Sequence, residues 1–199
     1  MHRAYGHELH WLVLTRAFEP RWSEAHVARQ RECVDAMAKR YGVAALHWPG
    51  LPSGRLDDLG FEAVIDPIAR VVREVDPHRI YTVGGRDVHT DHAVVFRALL
   101  SAVKSFARPP SLTKLLSYEV ISSSDVYPAA RGGSFTPNSF CDVSATFEEK
   151  LEIMALLPDE LHEPPGPRSL DSIRALGRYR GSTIGVAYAE AFEQVFEVL

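Results

Sequence analysis

Residues 80–92 read Ile80-Tyr81-Thr82-Val83-Gly84-Gly85-Arg86-Asp87-Val88-His89-Thr90-Asp91-His92, and this stretch decides the fold class. Its apolar start predicts a buried strand, its two glycines predict a turn, and a helix is expected to follow to about Lys104. A strand that leads through a tight turn into a helix is the repeating piece of α/β proteins. We therefore expect a mainly parallel sheet flanked by helices.

The rest of the chain continues this alternation. Apolar runs predict further strands at Leu9–Thr15, Val43–Trp48, Leu115–Ile121 and Phe140–Val143. Helical spacing and end signals predict helices from Ser23 to about Arg40, over Phe61–Val75 with a kink or restart at Pro67, and near Ala145–Leu157 and Ser169–Arg180. Pro49–Gly54 and Ser122–Pro137 are predicted loops, and the tail Val186–Leu199 fits either a strand or a helix.

The bulk composition narrows the class of protein. A length of 199 residues with 46% hydrophobic and 24% charged residues fits one domain over residues 1–199. A net charge of -4 argues against nucleic acid or an anionic membrane surface as a partner. We expect no membrane span, because no apolar run approaches the length of about 18 residues that a span needs. Two cysteines make no disulfide framework, so a cytoplasmic location is expected.

The hexapeptide Asp87–His92 is the candidate functional segment. It follows the carboxyl end of a predicted strand, which is where α/β sheets bind ligands. His89 and His92 are three residues apart at a helix start, so they share one face and could serve a metal ion or a proton transfer. Zinc usually takes three protein ligands, and this segment supplies one or two. In the alternative interpretation, Asp87 is a helix N-cap and the histidines are polar surface.

Several separated blocks, in order along the chain, carry a resemblance to a known family. They are Gly6–Thr15, Arg31-Glu32 with Tyr41–Val43, Leu51–Leu56, His89–His92, Phe135–Asn138 with Asp142–Ser144 and Lys150, Arg168–Leu170, Arg180-Gly181 and Tyr188–Phe192. These blocks resemble the PIG-L/LmbE family of zinc-dependent de-N-acetylases. The resemblance implies a Rossmann-like fold, a bound Zn²⁺ and hydrolysis of the N-acetyl group of a small-molecule amino sugar or glycoconjugate of the N-acetylglucosamine type.

The resemblance also implies roles for three residues. His92 corresponds to a zinc ligand, and His89 to the imidazole that stabilises the oxyanion or protonates the leaving amine. Asp91 corresponds to a carboxylate that tunes one of the two imidazoles.

One family segment has no counterpart in this sequence. The family opens with a buried strand that ends in Ala-His-Pro-Asp-Asp-Glu, which supplies two zinc ligands and the base, and we expect this first strand to be missing here. Either the natural start lies upstream, or the chain is a truncated relative without activity. Losing a central strand removes roughly 6–15 kcal/mol of apolar burial, which favours the first explanation. A non-catalytic sugar-binding or scaffold protein is the alternative function.

Five further residues are candidates for substrate binding. Arg16 and Arg55 follow predicted strands and could bind sugar hydroxyls or phosphate, although surface arginines are an equal alternative. Tyr118 and Glu119 end a predicted strand, where packing competes with binding. Asn138 could fix the long loop by side-chain hydrogen bonds to the backbone.

Overall fold

The computed structural model describes residues 2–128 and 135–199, and it shows the predicted α/β architecture. The strands in chain order are β1 (His10–Leu12), β2 (Thr15–Arg16), β3 (Ala45–His47), β4 (Leu51–Pro52), β5 (Arg79–Val83), β6 (Lys114–Tyr118), β7 (Ser139–Asp142) and β8 (Ala189–Glu197). The α-helices are α1 (Glu24–Tyr41), α2 (Phe61–Val75), α3 (Thr90–Ala102), α4 (Phe147–Met154) and α5 (Leu170–Ser182). In this part of the chain, no helix combines the length and the apolarity that crossing a membrane requires.

The chain forms two compact units, and the first contains residues 1–53 and 141–190. Two pairs of parallel strands lie in it, β1 with β3 and β2 with β4. Helix α1 begins and ends where the sequence predicts. The Ser23 hydroxyl accepts the N–H of His26 at 3.3 Å, and Gly42 takes the left-handed conformation, with φ of 65°, that closes the helix.

The buried cluster Phe147, Leu151 and Ile173 holds α4 and α5 together in this unit. The ring of Tyr188 lies parallel to that of Phe147, with the centroids 4.1 Å apart. A side chain at Gly177 would place its Cβ 2.4 Å from the Phe147 ring, so only glycine allows this approach.

The second unit contains residues 54–140 and 191–199. Its sheet has the strand order β5-β6-β8-β7, with β5 parallel and β8 antiparallel to β6. The pairing of β5 and β6 runs without interruption from Arg79 opposite Lys114 to Val83 opposite Tyr118. The unit boundaries fall inside β7 and β8, so these strands belong in part to each unit.

Helices α2 and α3 pack against one another in the second unit. The buried face of α2 is the predicted apolar stripe, which includes Val64, Ile68 and Val72. The helix runs through Pro67 without a restart. Proline removes one helical hydrogen bond, and burial of the stripe on both sides of Pro67 offsets that loss.

Two predictions about strands need correction. Leu9–Thr15 is not one strand, because the pairing partner changes along it. The N–H of Val13 donates to the carbonyl of His47, which ends β3. One residue later, the carbonyl of Leu14 accepts the N–H of Leu51, which begins β4. Pro49–Gly54 is accordingly not only a loop, since it contains β4. The tail, for which the sequence left strand and helix open, forms strand β8. The prediction of one domain over residues 1–199 stays a prediction.

Candidate active site

The predicted hexapeptide lies where β5 gives way to α3. Strand β5 ends at Val83, the chain turns at Gly84 and Gly85, and α3 begins at Thr90. A Cβ on Gly85 would lie 2.5 Å from a ring carbon of Phe96 in α3. The turn is therefore pressed against the helix that it introduces, and the glycine is what permits this contact.

Asp87 is the buried centre of this turn. One carboxylate oxygen accepts the N–H of His89 at 2.8 Å, and the other accepts the hydroxyls of Ser123 at 2.9 Å and Ser124 at 2.8 Å. The same oxygen lies 3.0 Å from Nδ1 of His92. Burial by itself raises the pKa of the Asp87 carboxyl, but these hydrogen bonds outweigh it and hold the pKa below its ordinary value. The carboxylate is therefore charged at neutral pH.

His89, and not Asp87, is the N-cap of α3. Its Nδ1 accepts the N–H of Asp91 at 3.2 Å, so Nδ1 carries the lone pair and the proton of the neutral ring is on Nε2. The capping role that the alternative interpretation gave to Asp87 is thus filled by an imidazole two residues later. As a result, the ring of His89 is held in one orientation and one tautomer.

His92 has the opposite proton arrangement. Its ring stacks on that of His89 with the centroids 4.4 Å apart and the planes 16° from parallel. Its buried Nδ1 faces the Asp87 carboxylate, although the approach is not that of a well-formed hydrogen bond. A carboxylate beside Nδ1 favours a proton there, which leaves the lone pair of the neutral ring on Nε2. One ring of the stack therefore carries its Nε2 proton, and the other carries an Nε2 lone pair.

Asp91 is buried and contacts backbone. Its two oxygens accept the N–H groups of Gly54 at 2.6 Å and Leu56 at 3.1 Å. The resemblance assigned Asp91 to tuning an imidazole, whereas the carboxylate that faces His92 is that of Asp87. Asp91 fixes the segment around Arg55 against the start of α3.

The other predicted residues lie in different surroundings. Arg55 forms an exposed ion pair with Asp58 at 2.6 Å. Tyr118 ends β6 opposite Val83, and Glu119 follows it. Asn138 donates its N–H to the carbonyl of Phe192, and its side-chain oxygen accepts the N–H of Gln194, so in the described part of the chain its side chain binds the backbone of β8 and not that of the long loop.

Arg16 ends β2 in the first unit, where its side chain lies over Gly50. It is therefore the one predicted substrate-binding residue that belongs to that unit, since Arg55, Tyr118, Glu119 and Asn138 belong to the second.

Sequence reasoning missed the partners of Asp87. Ser123 and Ser124 follow β6, the strand beside β5, and two hydroxyls at that position are the signal that could have indicated them. Arg86, the residue before Asp87, forms an ion pair with Glu193 of β8. Glu193 also accepts the N–H of Thr136 at 2.7 Å.

The donor chemistry of this site fits a zinc ion only in part. An imidazole with a carboxylate behind its second nitrogen is a common zinc ligand, and His92 with Asp87 has this arrangement. Residues 2–128 and 135–199 contain no group of three or more side chains that could together hold a metal ion. At this site they offer His92 as one ligand and Asp87 as its supporting carboxylate.

Solved structures of other proteins share this fold. One is the conserved protein TT1542 from Thermus thermophilus, with 23% identity over 100% of this chain and 86% of that chain, and a TM-score of 0.78. Another is N,N'-diacetylchitobiose deacetylase from Pyrococcus horikoshii, with 16% identity over 98% of this chain and 75% of that chain, and a TM-score of 0.76. A third is GalB, the 4-carboxy-2-hydroxymuconate hydratase from Pseudomonas putida KT2440, with 16% identity over 100% of this chain and 88% of that chain, and a TM-score of 0.73.

These likenesses show the fold, and the same fold carries a deacetylase and a hydratase. No curated protein sequence gives a significant match. The sequence itself matches the family model for GlcNAc-PI de-N-acetylases, PIG-L, over residues 1–103, which is more than half of the 199 residues. The chain therefore belongs to the PIG-L family of de-N-acetylases.

Proposed function

We propose that this protein is an amide hydrolase that removes the acetyl group from an N-acetylated amino sugar or glycoconjugate. The observation that carries the proposal is the stacked pair His89 and His92 at the end of β5, with opposite proton arrangements. Two further findings support the same reaction class: the chain belongs to the PIG-L family, and N,N'-diacetylchitobiose deacetylase has the same fold.

His89 is the hydrogen-bond donor to the oxyanion in this proposal. Water adds to the acetyl carbonyl and loses a proton, negative charge develops on the carbonyl oxygen, and the carbon–nitrogen bond then breaks to give acetate and an amine. The N–H at Nε2 of His89 stabilises the oxyanion, and the proton that the water loses passes to the leaving nitrogen. The N–H of Asp91 holds Nδ1 of this ring, so the donor is already oriented before the substrate binds.

His92 is the metal-facing residue in this proposal. When zinc is bound in enzymes of this kind, it polarises the carbonyl and lowers the pKa of a water molecule. Asp87 holds the proton of His92 on Nδ1, which directs the Nε2 lone pair away from the buried carboxylate.

Substrate contacts are proposed on the second unit. The segment around Arg55 is tied to α3 through Asp91, and Tyr118 ends the strand beside β5. A guanidinium and a phenol at these positions could bind sugar hydroxyls. Asn138 is assigned to holding the backbone of β8, and not to substrate.

The test is acetate release from N-acetylglucosamine and N,N'-diacetylchitobiose by the full chain supplied with zinc. His89→Ala and His92→Ala are each expected to lower the rate by about 10²–10⁴-fold, because each removes a group that acts on the reacting atoms. Val88→Ala is the matched control, since Val88 lies in the same turn with 48% of its surface exposed, and it should leave the rate unchanged.

Two outcomes contradict the proposal. Equal acetate release from the parent and from both histidine variants would remove the two imidazoles from the chemistry. Sugar binding without acetate release, unaffected by His89→Ala, would instead indicate the non-catalytic sugar-binding relative.

A further inference from the structure

A second pair of imidazoles lies in the first unit, at the paired strands β1 and β3. Nδ1 of His10 is 3.2 Å from Nε2 of His47, and Nε2 of His10 is 2.8 Å from a carboxylate oxygen of Glu8. The function proposed above uses none of these residues. A carboxylate, an imidazole and a second imidazole thus form one connected chain of polar atoms.

The strand register explains why the two rings meet. His10 pairs with Ala45 and Leu12 pairs with His47, so the histidines stand two positions apart on neighbouring strands. Side chains two residues apart on a strand point to the same face, and diagonal neighbours on adjacent strands are within reach of long side chains. The contact is therefore set by strand pairing.

The protonation states follow from the carboxylate. Glu8 accepts hydrogen bonds, so the proton of neutral His10 lies on Nε2 and its lone pair lies on Nδ1, facing His47. This arrangement matches the carboxylate–histidine–metal pattern, in which the outer carboxylate fixes the tautomer of the ligand. The side chain of His10 keeps 23% of its surface exposed, which leaves it open to ions from solvent.

We propose that Nδ1 of His10 and Nε2 of His47 form a two-imidazole binding site for a divalent transition-metal ion. Two nitrogens that each lie about 2.0–2.1 Å from one ion, at a tetrahedral angle, are about 3.3 Å apart. The observed 3.2 Å is close to that separation, but the ring centroids are 5.5 Å apart, so the two nitrogens face each other along one line as in a hydrogen bond. Each ring must therefore tilt for both lone pairs to point at one ion. The proton of His47 must also move from Nε2 to Nδ1.

The chemistry of the donors defines the class of ion. Imidazole nitrogens suit Zn²⁺, Ni²⁺ and Cu²⁺, with Cu²⁺ bound most tightly. The described residues offer no third side chain to complete the set, so water fills the remaining positions. Each imidazole binds a metal ion through an unprotonated nitrogen.

The test is a calorimetric titration of the full chain with Zn²⁺ and with Cu²⁺ after treatment with a chelator. His92→Ala is used as the background, so that a metal ion at the proposed active site does not contribute to the heat. In that background, His10→Gln and His47→Gln are each expected to weaken binding at least about tenfold, and Glu8→Gln to weaken it less.

A matched control separates this site from a neighbouring pair. The Nδ1 atoms of His2 and His7 are 2.9 Å apart, but this pair lies outside the strands. His7→Gln should leave the titration unchanged. If His47→Gln binds metal as tightly as its background, or if only His7→Gln loses binding, the proposal is overturned.

A second measurement does not depend on the folding of any variant. Zinc added to the parent chain labelled with ¹⁵N in its histidines should shift the ring signals of His10 and His47. Signals that stay in place at saturating zinc would also overturn the proposal.

Discussion

Asp87 links more of the candidate site than any residue that the family resemblance named. It binds the N–H of His89, faces Nδ1 of His92 and accepts the hydroxyls of Ser123 and Ser124. These groups come from the glycine turn, from α3 and from the segment after β6. In the proposed site this carboxylate is therefore a positioning residue, since its contacts are with His89, His92 and the two serines.

Replacing Asp87 by Asn tests this positioning role. The substitution keeps the size of the side chain but removes the negative charge that holds the His92 proton on Nδ1. We expect a loss of about 1–3 kcal/mol in the free energy of unfolding. We also expect a change in the ring tautomer of His92, measured by its ¹⁵N chemical shifts. Ser123→Ala, which removes one hydroxyl and leaves the charge, should disturb the tautomer less.

The sequence predicted His89, Asp91 and His92 as candidate site residues, but it did not predict that Asp87 is the carboxylate that faces His92. Spacing placed His89 and His92 on one face of a helix start, which depends only on helical geometry. Asp87 and Asp91 are both buried, and they differ in their partners. Asp87 accepts the hydroxyls of Ser123 and Ser124, and Asp91 accepts the N–H groups of Gly54 and Leu56; all four partners lie more than 30 residues away in the chain. Local pattern carries no information about such distant partners.

At the scale of elements, helices followed the sequence more closely than strands did. Ser23 and Gly42 mark the ends of α1 because a capping hydroxyl and a left-handed glycine act on their own neighbours. A strand depends on a partner elsewhere in the chain. The split of Leu9–Thr15 between β3 and β4, and the pairing of the tail with β6, therefore could not be predicted from local sequence.

The packing of α4 against α5 gives a prediction about one helix contact. Gly177→Ala would bring a methyl group to 2.4 Å from the buried ring of Phe147, which also stacks on the ring of Tyr188. We expect the free energy of unfolding to fall by about 1–3 kcal/mol. Chemical denaturation measures this change. Gly60→Ala is the control, because a Cβ there meets no atom within 4 Å, and an equal loss in both variants would contradict the packing argument.

At the scale of the whole molecule, ion pairs between side chains make the stability of the folded state depend on pH. Arg174 donates two hydrogen bonds to Glu148 and one to the hydroxyl of Tyr188. The hydrogen bonds from Arg174 hold the pKa of the Glu148 carboxyl below its ordinary value of 4.5. A carboxyl with a lowered pKa in the folded state stabilises that state above its ordinary pKa. This contribution is lost as the pH falls through the lowered value.

The expected outcome is a difference between two variants that depends on pH. At pH 7 the parent should unfold at a slightly higher temperature than Glu148→Gln. The two midpoints should converge as the pH falls well below 4.5, the ordinary pKa of this group. The pair is exposed, so added salt should reduce the difference. A midpoint difference that persists unchanged in acid would show that the ion pair is not its source.

The hydroxyls of Ser123 and Ser124 also affect how this protein can change during evolution. They tie the segment after β6 to Asp87, which in turn accepts the N–H of His89 and faces Nδ1 of His92. A substitution at either serine would therefore disturb the carboxylate that both histidines contact. Selection that preserves the histidine pair would then also preserve these two hydroxyls.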